Sequence, residues 1–310
     1  MLPIDRRDFL KLSTAAAVGA AGMQQKDVKT LPVVNLGKTG RVVPRMGLGC
    51  FPVGNLTSAD EAQKILRRAF DLGIRYIDTA PSYSSGTSER RVGEALKSYN
   101  RKEFFITTKT LERGASGARR ELEQSLKRLS LDYVDCIQVH EIHDDFELLA
   151  KKESVLAGLE KAREEGLVKF IGITCHRDPA YLIKAFERYE FATALIPVNP
   201  IDTKHLSFTR ELLPVATKKG IATIAMKIFA GGKLLTDGKV SSLECLRFAH
   251  AQKDATVLVP GCDSVKHVEE AYAVALETES RTAAWLAEIE QKAGKHRGKD
   301  SEWYKNTKRE

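Results

Sequence analysis

The chain has 310 residues, 43% hydrophobic and 29% charged, which fits a globular protein with a large core and excludes a disordered or fibrous chain. The 49 basic and 41 acidic residues give a net charge of +8, spread thinly and without aromatic residues interleaved in basic runs, so no nucleic-acid partner is expected. Five cysteines (Cys50, Cys136, Cys175, Cys245, Cys262) lie far apart with no C-x-x-C pair, which argues against a cysteine-held zinc or iron–sulfur site and against a disulfide-built fold; no metal is expected.

Residues 1–30 differ in kind from the rest. Asp5-Arg-Arg-Asp-Phe-Leu-Lys11 precedes an Ala/Gly-rich run, Leu12 to Gly22, too short and too weakly apolar to span a bilayer. A charged patch followed by such a run reads as an export signal, and the paired arginines resemble the twin-arginine type. Export to the periplasm is therefore expected, with no stable membrane insertion apart from the signal. Without the signal, a cytoplasmic location would follow.

From residue 31, strand-like and helix-like segments alternate. Pro32 to Leu36 and Arg41 to Pro44 flank Gly37-Lys-Thr-Gly40 and predict a β-hairpin. An apolar run, Met46 to Phe51, predicts a strand. Ala62, Ile65, Leu66, Ala69 and Phe70 then recur at helical spacing behind Ser58-Ala-Asp-Glu61, which has the form of a capping box. Further strands are predicted at 75–78, 104–109, 133–139, 168–174, 193–198, 221–226 and 256–259. Helices are predicted at 88–98, 117–129, 153–165, 179–188, 207–219, 241–252 and 264–277. The strands are rich in Ile and Val and nearly continuous in apolarity, as when both faces are covered. The pattern predicts a (β/α)8 TIM barrel over residues 31–280 with an N-terminal hairpin, followed by a charged tail over 281–310. An open doubly wound sheet is the alternative, but Gly47-Leu-Gly49 lacks the third glycine of its phosphate turn.

Three predicted strands end on residues that carry proton chemistry. Asp78 closes the second, Lys109 the third and His140 the fourth, and Tyr83 follows Asp78 by five residues. In a parallel barrel these ends meet at one mouth. A free tyrosine titrates near 10, too high for easy proton donation at neutral pH. A nearby ammonium lowers that value, so Lys109 is expected to acidify Tyr83, Asp78 to hold Lys109, and His140 to hydrogen-bond a carbonyl oxygen. No side chain supplies hydride, so a cofactor must.

The segment from about 31 to 280 resembles the aldo-keto reductase family. The resemblance is carried by Gly73-Ile-Arg-Tyr-Ile-Asp-Thr-Ala-Pro-Ser-Tyr83, Ser88-Glu-Arg-Arg-Val-Gly-Glu-Ala-Leu96, Thr107-Thr-Lys109, Leu131-Asp-Tyr-Val-Asp-Cys-Ile-Gln-Val-His140 and Val259-Pro-Gly261. It implies a (β/α)8 carbonyl reductase using NADP(H), with NAD(H) left open, and a small aldehyde or ketone as substrate. It also implies a catalytic tetrad of Asp78, Tyr83, Lys109 and His140, with Tyr83 the proton donor. Around the nicotinamide, Thr174 and Cys175 stand where the family has a Ser-Asn pair. Leu195 holds the place of a glutamine, with Asn199 nearby as a substitute, and Met226 that of a stacking aromatic. Toward the phosphates, Met226 to Gly232 matches the pyrophosphate loop, including Lys227 and Gly231. Gly261 and Ser264 lead into the last helix, whose free N–H groups suit a phosphate. His267 and Glu270 stand where the family has an Arg or Gln and a Glu. Because three nicotinamide contacts are changed, an idle barrel that binds the nucleotide or a protein partner as a sensor is the alternative. Oligomeric state is not legible.

Overall fold

The computed structural model describes residues 28–296 and 301–305. The twin-arginine reading falls on residues 1–30, and its arginine pair and Ala/Gly run lie outside the described residues.

The Ile- and Val-rich runs form eight short parallel strands: β3 (Leu48–Gly49), β4 (Tyr76–Asp78), β5 (Phe105–Thr110), β6 (Val134–Val139), β7 (Val168–Thr174), β8 (Thr193–Pro197), β9 (Ala222–Met226) and β10 (Val257–Leu258). They follow one another around the sheet in chain order. Parallel bridges from Met46 to Leu258 and from Gly49 to Gly261 join the first strand to the last and close the barrel. The closure is tight: a Cβ on Gly49 would lie 2.8 Å from the Val259 carbonyl oxygen. Strands covered by helices outside and by side chains inside have no polar face, hence their continuous apolarity.

The hairpin, β1 (Val33–Asn35) paired antiparallel with β2 (Val42–Pro44), shuts the end of the barrel opposite the mouth. Its Leu36 and Val43 join Tyr76, Phe105, Leu195, Ile224 and Val257 in one interior apolar cluster. Gly37 (φ 53°) lets the hairpin turn approach the Gly220 carbonyl, which an added Cβ would meet at 2.6 Å.

Helices cover the outside, and their boundaries follow capping chemistry. Ser58 accepts from the Glu61 N–H at the head of helix Ala59–Asp71, whose Ala62, Ile65, Leu66, Ala69 and Phe70 are buried as their spacing predicts. Three segments differ from expectation. The run Met46–Phe51 yields only a two-residue strand, because Phe51 already opens helix Phe51–Asn55, with Pro52 preset for its first turn. The segment 207–219 begins as a wide π turn, Phe208–Leu212, before helix Leu213–Lys219. The charged tail holds a further helix, Ala283–Ala293, capped by Thr282. Residues 301–305 also pack down: the buried Lys305 Nζ lies 2.8 Å from Asp202 Oδ1 and 2.6 Å from Glu302 Oε1. Among the described residues no helix is long and apolar enough to cross a membrane.

Candidate active site

The strand ends bring Asp78, Lys109 and His140 to one mouth. Asp78 and Thr107 are register partners on β4 and β5, and Lys109 and Gln138 are partners on β5 and β6, so their side chains point inward in successive layers. The wholly buried Lys109 ammonium spends all three donors on protein: Asp78 Oδ1 at 2.7 Å, Asp78 Oδ2 at 2.8 Å and the Thr79 carbonyl at 2.8 Å. Thr107 Oγ1 donates to Asp78 Oδ2 at 2.8 Å, so the carboxylate is saturated too. The fork-like geometry keeps this ion pair from being a buried unpaired charge.

Tyr83 reaches the pair from the loop after β4. Lys109 Nζ lies 5.0 Å from the Tyr83 ring centroid, and Phe51 packs edge-on against that ring at 5.2 Å. Three successive residues with positive φ, Ser84, Ser85 and Gly86, turn the chain sharply into helix Thr87–Leu96. That helix is pinned by the buried Glu89, which accepts from Thr108 Oγ1 at 2.6 Å and from Arg128 Nε at 2.5 Å. His140 follows β6, its N–H bonded to the Thr110 carbonyl at 2.8 Å.

Electrostatics correct one expectation. The Tyr83 phenol is not acidified: burial, then the Asp78 charge, push it well above its ordinary value. The ammonium is matched by the carboxylate that holds it, so Tyr83 meets little net positive charge. The phenol is therefore held in its proton-bearing form. His140 is driven well below the usual imidazole range, first by burial and then by Lys109, so it is neutral at pH 7.

The C-terminal segment sits over the same mouth. Lys227 Nζ lies 4.8 Å from the Trp303 ring and 4.9 Å from the Tyr304 ring. Asn199 Nδ2 donates to Tyr304 Oη at 3.1 Å and to the Lys227 carbonyl at 3.0 Å. A Cβ on Gly231 would lie 3.5 Å from Trp303 Nε1.

Comparison with known proteins decides the family. Residues 45–243 match the model of the aldo/keto reductase family. The chain belongs to the aldo/keto reductase family. Relatives include an L-galactose dehydrogenase of Arabidopsis thaliana, 28% identical over 79% of this chain and 88% of the relative. A D-threo-aldose 1-dehydrogenase of a Pseudomonas species is 34% identical over 63% of this chain and 68% of that protein. The solved aldo-keto reductase of Klebsiella pneumoniae, in complex with NADPH, superposes with a TM-score of 0.71 at 22% identity, covering 85% of this chain and 95% of the other.

Within this aldo/keto reductase, the cofactor-side positions divide. Thr174 ends β7 opposite the inward-facing Leu195, and its Oγ1 is buried with no hydrogen-bond partner. Cys175 is corrected: just past the end of β7 it turns outward into the apolar layer between sheet and helices, where its Sγ lies 3.4 Å from the Asp178 carbonyl and burial pushes its thiol up to about 12. Asn199 is corrected as well. Its Oδ1 accepts from the N–H groups of Ile201 and Asp202 at 3.2 and 3.1 Å while its amide nitrogen serves Lys227 and Tyr304, so no group is left for a nicotinamide while Tyr304 is docked. Met226, 9% exposed, packs into the interior cluster, so it gives the mouth little surface. Lys227 and Gly231 lie under the C-terminal rings.

At the phosphate end, Gly261 serves barrel closure, and Ser264 caps helix Val265–Ala275 by accepting from the His267 N–H at 3.2 Å. His267 pairs with Asp263 at 2.6 Å, and Glu270 accepts from Ser242 Oγ at 3.0 Å. Sequence reasoning missed Glu141, His176 and Gln138. Gln138 is wholly buried one layer below His140, with both amide atoms unpartnered. The signals were present: Glu141 follows the candidate histidine, and His176 closes the run Gly172 to His176.

Proposed function

We propose that this aldo/keto reductase reduces a small aldehyde or ketone, with Tyr83 delivering the proton. The Lys109–Asp78 pair, saturated and buried beneath the Tyr83 ring, is the observation that carries the reading. NADPH fits the residues present, because the unpartnered Thr174 hydroxyl and the N–H groups ahead of helix Val265–Ala275 offer partners for an amide and a phosphate. The fit requires Trp303 and Tyr304 to move aside from Lys227 and Asn199. When bound, the cofactor supplies hydride.

The remaining chemistry belongs to the chain. His140, neutral because it is buried beside Lys109, donates one N–H to the carbonyl oxygen and orients it. The Tyr83 phenol keeps its proton until negative charge develops on that oxygen, then passes it over. The Lys109 ammonium, fixed by Asp78 and Thr79, stabilises the phenolate left behind. A positioned acid of this kind contributes about 10²–10⁴-fold in rate.

The test is NADPH oxidation with a carbonyl panel that includes aldoses, because two relatives are named for L-galactose and a D-threo-aldose. Tyr83→Phe should lower kcat by about 10²–10⁴ while leaving the unfolding midpoint unchanged. Equal turnover in the variant would remove Tyr83 from its role. A second reading, a nucleotide-binding barrel without turnover, is favoured by the segment over Lys227. NADPH binding with no product from any carbonyl would support it.

A further inference from the structure

We propose that His140, Glu141 and His176 form a binding site for a divalent transition-metal cation of the Zn²⁺ or Fe²⁺ class. One ligating atom from each residue lies within 4.8 Å of the others. Two imidazoles and one carboxylate are a donor set that holds such ions while leaving coordination positions open to substrate.

The backbone holds the three residues in place. Residues 140–142 leave β6 and residues 174–176 leave its neighbour β7, and the Ile142 N–H bonds the Thr174 carbonyl at 2.9 Å. Arg113 ties down the other side, donating to the His140 carbonyl at 3.0 Å and the Glu141 carbonyl at 2.7 Å. His176 Nδ1 lies 3.2 Å from Glu141 Oε2.

A second, independent observation points to a ligand. His140 is only 8% exposed, yet its Nδ1 has no hydrogen-bond partner, and the buried Nε2 of His176 has none either. The unpartnered buried Nδ1 of His140 costs free energy that a cation accepting its lone pair removes. The Glu141 contact engages His176 through Nδ1 and leaves His140 Nδ1 without a partner. Nearby cations weaken but do not cancel the case: Lys109 is matched by Asp78, Arg113 by Asp145 at 2.5 Å, and Arg177 stands 3.9 Å from Glu141 Oε1. Ligation at about 2.0–2.2 Å would draw the three donors to about 3–3.5 Å apart, within the reach of side-chain rotation. The inference goes beyond the reductase reading and does not depend on turnover.

The experiment titrates Co²⁺, and separately Zn²⁺, into metal-stripped full-length protein, following the visible d–d bands of Co²⁺ and the heat of Zn²⁺ binding. One equivalent should bind. His176→Ala and Glu141→Gln should each weaken binding at least about tenfold, with folding checked by circular dichroism. His267→Ala, which removes the surface pair with Asp263, should leave the stoichiometry at one. If His176→Ala misfolds, Glu141→Gln, which preserves shape, carries the test alone. No binding by the unmodified chain, or binding that survives both site variants, or binding lost with His267, would overturn the assignment.

Discussion

At the scale of single residues, the site depends on how Lys109 is held. Its side chain is wholly buried, and Asp78 is 3% exposed. Removing the ammonium leaves a carboxylate in the barrel interior with Thr107 as its remaining side-chain donor. Lys109→Met should therefore destabilise the fold by about 3–5 kcal/mol, read from urea midpoints, and also abolish turnover. A variant as stable as the parent would mean that the pair is solvated. Asp78, Tyr83, Lys109 and His140 were legible because each ends, or closely follows, a predicted strand. The sign of the effect on Tyr83 was not legible. It depends on burial and on the Asp78 charge, and neither has a signature in spacing.

At the scale of elements, the C-terminal segment is the main departure from expectation. Charge-rich composition predicted a tail, yet Lys305 pairs with both Glu302, three residues before it, and Asp202, and this docks Trp303 and Tyr304 on the mouth. The helix before it had a readable signal, since Trp285, Ile289 and Ala293 repeat at helical spacing behind Thr282. The docking had none, because Asp202 and Lys305 are remote in sequence. The segment covers Lys227 and Asn199, so it competes with any nucleotide that uses that face. A chain ending at residue 300 should bind NADPH more tightly, by roughly tenfold if the docked form costs about 1.4 kcal/mol to open. Isothermal titration reads the difference; equal or weaker binding would show that the segment supports the nucleotide site.

At the scale of the whole molecule, closing eight strands into one barrel leaves titratable groups in places that penalise charge. His250, on helix Ser242–Ala251 beside Arg45, is held down to about 4, first by burial and then by the arginine. The unfolded chain takes up a proton near the ordinary imidazole value of about 6.5 that the folded chain refuses until about 4. Stability from this group is thus complete above that unfolded value and is lost as pH falls through the window between the two. His250→Gln should lose less stability than the parent between neutral and acid pH, measured by urea midpoints at both; parallel losses would remove His250 as a cause. The amino-acid sequence by itself determined the alternation of strands and helices, the barrel and three strand-end residues with Tyr83, because these depend on local periodicity and on the geometry that all parallel barrels share. Only the tertiary structure decided that Cys175 faces outward, that Asn199 is spent on Tyr304, and that His140, Glu141 and His176 meet. Those outcomes depend on which face a side chain takes and on what arrives opposite it from distant parts of the chain.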